Sequence, residues 1–190
     1  MPVRLLVFLH GTVLMHPGGV GHTRDERVAQ VRDGTDLGIR DPLAYVPVDG
    51  AVAKLWRWAR NGAEIAYLTS HRHPFHVAED AAVLRRWGFP PGRVIARRDG
   101  QSYGDVAERE LPDVLIEDDC ESLDGDAEIT YGQVRPELQP RIVSIVVPEF
   151  GGIDELPDSP GALLALGRER RSRRRAAASP RWARELAHRH

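Results

Sequence analysis

The sequence LLVFLHGTVL, at residues 5–14, places five apolar residues directly before a polar step at His10, Gly11 and Thr12. An unbroken apolar run of this length that ends at a turn signal is typical of a buried strand at the centre of a parallel sheet. Glycine lets the chain turn as it leaves the strand, where backbone N–H groups can face a ligand. We therefore predict a central strand here, with a binding site at its end.

The rest of the chain alternates between helical and strand patterns. Strands are predicted at residues 63–70, 93–98, 113–119 and 141–147, and helices at 24–31, 49–61, 74–88 and 102–111. Thr23 with Glu26 is expected to cap the first helix, and Asp49 the second. This alternation predicts an α/β fold, a Rossmann-like parallel sheet of about five strands flanked by helices.

The length of 190 residues suits one domain with a small appendage. We predict a domain over residues 1–156, in which residues 15–48 form a flap or minimal cap, and a linker with a basic tail over 157–190. From Arg168 to His190 the chain carries nine arginines and two glutamates, a net charge of +7, whereas the remainder carries −9. We expect the last 20 residues to be disordered or frayed.

The amino-acid composition limits the cellular compartment and the metal sites that we expect for this protein. The single cysteine, Cys120, allows no internal disulfide and no cysteine-based zinc site. The N-terminal apolar run is too short for a membrane helix or a signal peptide. We expect a cytoplasmic protein with no membrane partner.

Three predicted strands end in polar residues, and in an open parallel sheet these ends border one crevice, where ligands bind. The polar ends are His10-Gly11-Thr12, Thr69-Ser70-His71-Arg72 and Glu117-Asp118-Asp119. Each has a plainer interpretation. Ser70 would cap the helix that starts near Pro74, Asp118 and Asp119 would be exposed loop acids, and His10 would be a hydrogen-bonded structural histidine.

The pattern VFLHGTVL resembles the first motif of the haloacid dehalogenase superfamily of phosphohydrolases, an apolar strand followed by Asp-x-Asp-Gly-Thr. Aligned on Gly11-Thr12, the resemblance places Phe8 at the nucleophilic aspartate and His10 at the acid/base aspartate. IAYLTSHR resembles the second motif, in which Thr69 would bind the phosphoryl group. DVLIEDD resembles the fourth motif, in which Asp118 and Asp119 would hold Mg²⁺.

The lysine of the third motif has no counterpart, because the only lysine, Lys54, precedes the Thr69 strand end. Arg97, Arg98 or Arg72 is left to supply the positive charge, since arginine can clasp a phosphate in a bidentate manner. The resemblance covers about residues 3–150.

A phenyl ring cannot attack phosphorus, so Phe8 excludes an aspartyl-phosphate intermediate. We therefore predict a degenerate site that binds a phosphorylated small molecule. The phosphate-binding residues would be Gly11, Thr12, Thr69, Ser70 and Arg72, and the metal ligands Asp118 and Asp119.

The alternative is a metal-dependent phosphohydrolase with a water nucleophile, in which His10 acts as the base, since imidazole transfers protons near neutral pH. His10 could instead be a metal ligand together with the acids and His71 or His73. The sequence leaves open whether the protein is an enzyme.

Two further functions remain. The arginine-rich tail could bind nucleic acid or another acidic surface through phosphate contacts, although no nucleic-acid module is visible. The His-Gly step also occurs in α/β-hydrolases, and residues 100–104, GQSYG, match the letters of their Gly-x-Ser-x-Gly elbow. We do not expect Ser102 to lie in a strand-turn-helix elbow, and the chain is short for that fold.

Overall fold

A computed structural model describes residues 1–34, 41–120 and 130–178, with side chains described up to residue 169. Its main sheet consists of β1 (Val3–Phe8), β4 (Ala63–Leu68), β5 (Arg93–Ile95), β6 (Val114–Asp118) and β7 (Val143–Val147). These strands lie in the order β5-β4-β1-β6-β7, and every neighbouring pair is parallel. Two short strands, β2 (Leu14–Met15) and β3 (Val46–Pro47), pair separately. The predicted central strand is confirmed.

The four predicted helices are present, and the structure adds two more towards the end of the described chain. They are α1 (Arg24–Asp33), α2 (Ala51–Arg60), α3 (Pro74–Arg86), α4 (Tyr103–Glu110), α5 (Thr130–Gln133) and α6 (Pro160–Ala178), joined by 3-10 turns at Pro17–Gly19, Pro42–Ala44 and Gln139–Arg141. Within the described part of the chain, no helix is both long and apolar enough to span a membrane.

Two apolar layers cover the two faces of the sheet, because successive side chains of a strand point to opposite faces. On β1, Leu5 and Val7 belong to the layer under α2 and α3, and Leu6 and Phe8 belong to the layer that contains α4. Since β1 is buried on both faces, its apolar run is continuous rather than alternating.

The buried side chain of Arg27, on α1, connects the described part of residues 15–48, for which we predict a flap, to the chain around it. Its guanidinium donates to both carboxylate oxygens of Asp49, at 3.1 and 2.8 Å, and to the backbone oxygens of Gly19 and Phe150. The prediction that Asp49 caps α2 is therefore wrong. The φ of Asp49 is +40°, and Gly50 is the residue that precedes the helix. By contrast, the predicted capping box of Thr23 and Glu26 is confirmed.

Helix α6 starts as part of the domain core. Leu163 is fully buried, and α6 packs against β7 so closely that a Cβ on Gly167 would overlap Val143. The helix continues to Ala178, eight residues into the segment for which we expected disorder or fraying, because its arginines and alanines are strong helix formers. Residues 179–190 lie outside the described residues.

Candidate functional site

The carboxyl ends of β4, β1 and β6 lie side by side, since these are neighbouring parallel strands. The polar residues that follow them form two separate hydrogen-bond networks. One network joins β1 to β4 through His10, and the other joins β1 to β6 through Thr12.

His10 is held on both ring nitrogens. Its Nδ1 lies 2.7 Å from Ser70 Oγ, and its Nε2 lies 3.1 Å from Asp80 Oδ1. Ser70 is therefore engaged with His10 rather than capping α3. The residue that precedes α3 is His73, whose ring accepts from the backbone N–H of Phe75 at 3.3 Å. The interpretation of Ser70 as a helix cap is wrong.

Asp80 is the centre of this first network. It lies on the buried face of α3, and its carboxylate also accepts from Thr69 Oγ1 at 2.5 Å and contacts His71 Nδ1 at 3.0 Å. Burial alone would raise the pKa of this carboxyl, but the hydrogen bonds from His10 and His71 outweigh it and hold the pKa well below its usual range. Asp80 is therefore ionised at neutral pH.

The aromatic rings around the Asp80 carboxylate shield it from solvent but are themselves partly exposed. His10 packs edge-on against His71, with ring centroids 4.6 Å apart, and against Tyr45, at 5.3 Å. The two histidine side chains keep 15% and 24% of their surface exposed, whereas that of Asp80 keeps 1%. Burial, together with the charge of Asp80, raises the pKa of the Tyr45 hydroxyl. Solvent therefore reaches the imidazoles, and the carboxylate lies behind them.

The second network holds Asp118. Its Oδ2 accepts from Thr12 Oγ1 at 2.7 Å, and its Oδ1 accepts from the backbone N–H of Cys120 at 3.0 Å and from its thiol at 3.1 Å. Gly11, at φ +83°, lies directly against this carboxylate, and a Cβ there would come within 2.8 Å of Oδ2. The close approach and the positive φ together require glycine.

Asp119 has other partners among the described residues. Its Oδ1 accepts from the backbone N–H of Glu149 at 2.8 Å and lies 3.8 Å from an arginine nitrogen of Arg24. The adjacent acids Asp118 and Asp119 are thus committed to different partners. The buried position of Asp118, with 2% exposure, contradicts its interpretation as an exposed loop acid.

Phe8 belongs to an aromatic cluster in the apolar layer that contains α4. Its ring packs edge-on against Tyr103 at 5.1 Å, and the guanidinium carbon of Arg97 lies 3.6 Å from the centre of the Tyr103 ring. Arg97 donates to the Tyr103 hydroxyl at 2.9 Å, while its buried Nε has no hydrogen-bond partner among the described residues. Arg98 and Arg72 are exposed. Arg97 is therefore the best placed of the three arginines considered as a cation near position 8.

The structure brings several predicted site residues together and adds Asp80 and His71 to them. His10, Thr69 and Ser70 meet around Asp80, and Gly11 and Thr12 meet Asp118, whereas Arg72 lies exposed outside both networks. Asp80 was missed, and His71 was considered only as an alternative ligand. The available signal for Asp80 was its spacing from Val77 and Leu84, which puts a carboxylate on the apolar stripe of α3.

No protein-family model matches the chain, and no curated protein matches it significantly. Among solved structures, it is similar to a class C acid phosphatase from Bacillus anthracis with tungstate bound, at 14% sequence identity and a TM-score of 0.49, over 80% of this chain and 69% of that one. Five parallel strands flanked by helices, with the Gly11-Thr12 turn at the end of the central strand, confirm the predicted fold class. The chain has an α/β fold, a Rossmann-like parallel sheet of five strands flanked by helices.

Proposed function

We propose that this protein binds a phosphorylated small molecule at the carboxyl edge of its sheet, without aspartyl-phosphate chemistry. The observation that carries the proposal is Phe8, which is buried against Tyr103 at the position where the resemblance implies a nucleophilic carboxylate. A phenyl ring offers no electron pair to phosphorus, so no covalent phosphoenzyme can form there.

Two side chains are considered as phosphate contacts: the cationic guanidinium of Arg97 and the neutral hydroxyl of Thr69. Arg97 has a buried Nε with no hydrogen-bond partner in the described residues, which a phosphate oxygen would satisfy after a small shift of the side chain. The Thr69 hydroxyl already donates to Asp80 and accepts from His71 N, so Thr69 would bind phosphate only by exchanging a partner. This supports Arg97 as the main anion contact.

The donor set does not fit the Mg²⁺ that the resemblance implies. Mg²⁺ prefers carboxylate oxygens and water, yet positions 8 and 10 carry a phenyl and an imidazole, and both oxygens of Asp118 already accept hydrogen bonds. The proposal therefore includes no step that depends on Mg²⁺.

Binding of inorganic phosphate, measured by calorimetry on the wild type and on Arg97→Ala, tests this proposal. We expect Arg97→Ala to weaken binding about tenfold, because a charge-assisted hydrogen bond is lost. Arg98→Ala is the matched control and should bind as the wild type does, since Arg98 is the exposed neighbour. Equal binding by the two variants, or none by the wild type, would overturn the proposal.

A second candidate, hydrolysis by a water nucleophile with His10 as base, is favoured by one observation. If Asp80 accepts a hydrogen bond from the protonated Nε2 of His10, the other nitrogen, Nδ1, carries the lone pair and can accept a proton. Phosphate release from a panel of phosphomonoesters with Mg²⁺, Mn²⁺ or Zn²⁺ tests this candidate. Turnover that disappears in both His10→Ala and Asp118→Ala would establish it.

A further inference from the structure

We propose that His10, His71 and Asp80 form a binding site for a divalent transition metal ion, with zinc as the best match. One nitrogen from each imidazole and one carboxylate oxygen all lie within 4.8 Å of one another. This site goes beyond the proposed phosphate binding and uses different residues from the Asp118–Asp119 pair that the sequence indicated.

Two of the distances between ligand atoms are close to those around a tetrahedral ion. Zn–N and Zn–O bonds of about 2.0–2.1 Å place neighbouring ligand atoms about 3.3 Å apart in a tetrahedron. Asp80 Oδ1 lies 3.1 Å from His10 Nε2, and Asp80 Oδ2 lies 3.0 Å from His71 Nδ1. An ion would replace the shared protons once the side chains rotate to bring both ring nitrogens and one carboxylate oxygen around it.

The next layer of contacts holds two of the ligands in a binding orientation. Ser70 Oγ lies 2.7 Å from Nδ1 of His10, so a proton on Nδ1 leaves Nε2 free to bind metal. Thr69 Oγ1 donates to one oxygen of Asp80, which leaves the other oxygen for the ion. A ring nitrogen fixed by a hydrogen bond on its far side is the usual arrangement around metal-binding histidines.

Charge and donor type also favour a transition metal. Within the described residues, the ion-pair partners of Asp80 are the two histidines, and no arginine or lysine contacts its carboxylate. A divalent ion would balance this buried charge with the imidazoles neutral. Two nitrogens and one oxygen suit zinc and its neighbours rather than Mg²⁺, which requires oxygen ligands.

Three protein ligands leave a fourth position open, as in catalytic rather than structural zinc sites. That position would face the side of the two rings that solvent reaches, near Tyr45. It would accept water or an anionic oxygen. In this state His10 is a ligand and not a general base.

The test is titration of the full-length, metal-free protein with Co²⁺, followed by its visible absorption, and with Zn²⁺ by calorimetry. We expect one equivalent of Co²⁺ to give a tetrahedral spectrum. His71→Ala should weaken Zn²⁺ binding at least about 100-fold, and Ser70→Ala about tenfold, because loss of a second-layer contact costs metal affinity less than loss of a ligand.

Matched controls separate this site from other histidines. His73→Ala removes a nearby exposed histidine, and the double variant His188→Ala/His190→Ala removes two near the C-terminus; both should bind as the wild type does. Asp80→Asn should also lose binding, and because it alters a buried group its fold is checked by circular dichroism. No tetrahedral Co²⁺ spectrum from the wild type, or equal binding by His71→Ala, would overturn the proposal. Phosphate binding by the metal-free protein is measured separately, so that either proposal can fail alone.

Discussion

Replacement of Glu117 by glutamine should change how the stability of this protein depends on pH. Glu117 lies on β6 with 2% exposure, and its carboxyl accepts from the backbone N–H groups of Thr130, at 2.6 Å, and Tyr131, at 3.2 Å. Burial raises the pKa of Glu117 to about 7, outweighing these hydrogen bonds, and the neighbouring charge of Asp118 adds to the rise.

The sign and size of the effect follow from proton linkage. In the unfolded chain the pKa of Glu117 is near 4.5, its ordinary value. Between pH 4.5 and 7 the unfolded state releases this proton while the folded state keeps it, so stability falls as the pH rises. A pKa difference of about 2.5 units, at 1.36 kcal/mol each, corresponds to about 3 kcal/mol lost by pH 8.

Urea unfolding at pH 4.5 and pH 8 measures this loss. Because all other titrating groups also contribute, the informative quantity is the change in unfolding free energy between the two pH values, compared between variants. Glu117→Gln should lose about 3 kcal/mol less than the wild type, whatever its constant hydrogen-bond cost. The matched control Glu64→Gln, at an exposed position on β4, should follow the wild type. Parallel curves for wild type and Glu117→Gln would refute the argument.

Three other predictions concern packing and reactivity. Gly11→Ala should lower the unfolding free energy by about 1–2 kcal/mol for its positive φ, and further because the new Cβ meets Asp118, whereas Gly21→Ala, with open space around it, should show the first cost alone by urea unfolding. Arg27→Ala should cost about 2–3 kcal/mol in the same assay, because two backbone carbonyls and a carboxylate lose their donor. Burial and the charge of Asp118 raise the pKa of the Cys120 thiol, so iodoacetamide at pH 8 should modify the native protein at least about tenfold more slowly than the urea-unfolded one.

The fold could be predicted because its signals are local. The apolar run of residues 5–9 has no polar face, which only a doubly buried strand tolerates, and helix-forming segments of ordinary length follow at short intervals. The capping box at Thr23 is equally local, since it lies within three residues of sequence. Such features depend on neighbours along the chain, so they can be predicted without knowledge of tertiary contacts.

Side-chain partners depend on tertiary contacts, and there the sequence was insufficient. Asp49 resembles a helix cap by position, but Arg27, 22 residues earlier, captures its carboxylate in two hydrogen bonds. Ser70 likewise precedes a helix, but it lies within reach of His10, 60 residues earlier. In both cases a local hydrogen bond was replaced by a contact that only the folded arrangement makes available.

Asp80 illustrates the same limit at the site itself. Motif comparison directs attention to residues at strand ends, whereas Asp80 lies inside α3, and no strand-end pattern includes it. Its spacing from Val77 and Leu84 indicates burial but not which strand end it faces. A buried carboxylate requires partners, and the nearby histidines of the sequence were the natural candidates.

The two hydrogen-bond networks satisfy the buried carboxylates of Asp118 and Asp80 with different kinds of donor. On the β6 side, Asp118 is satisfied by neutral donors from Thr12 and Cys120. On the β4 side, Asp80 is satisfied by the imidazoles of His10 and His71 and by the hydroxyl of Thr69. His10 follows β1 and contacts Ser70 and Asp80, so the carboxylate of Asp80 is linked to the ends of both β1 and β4. A ligand at this edge therefore meets nitrogen donors first, and carboxylates only behind them.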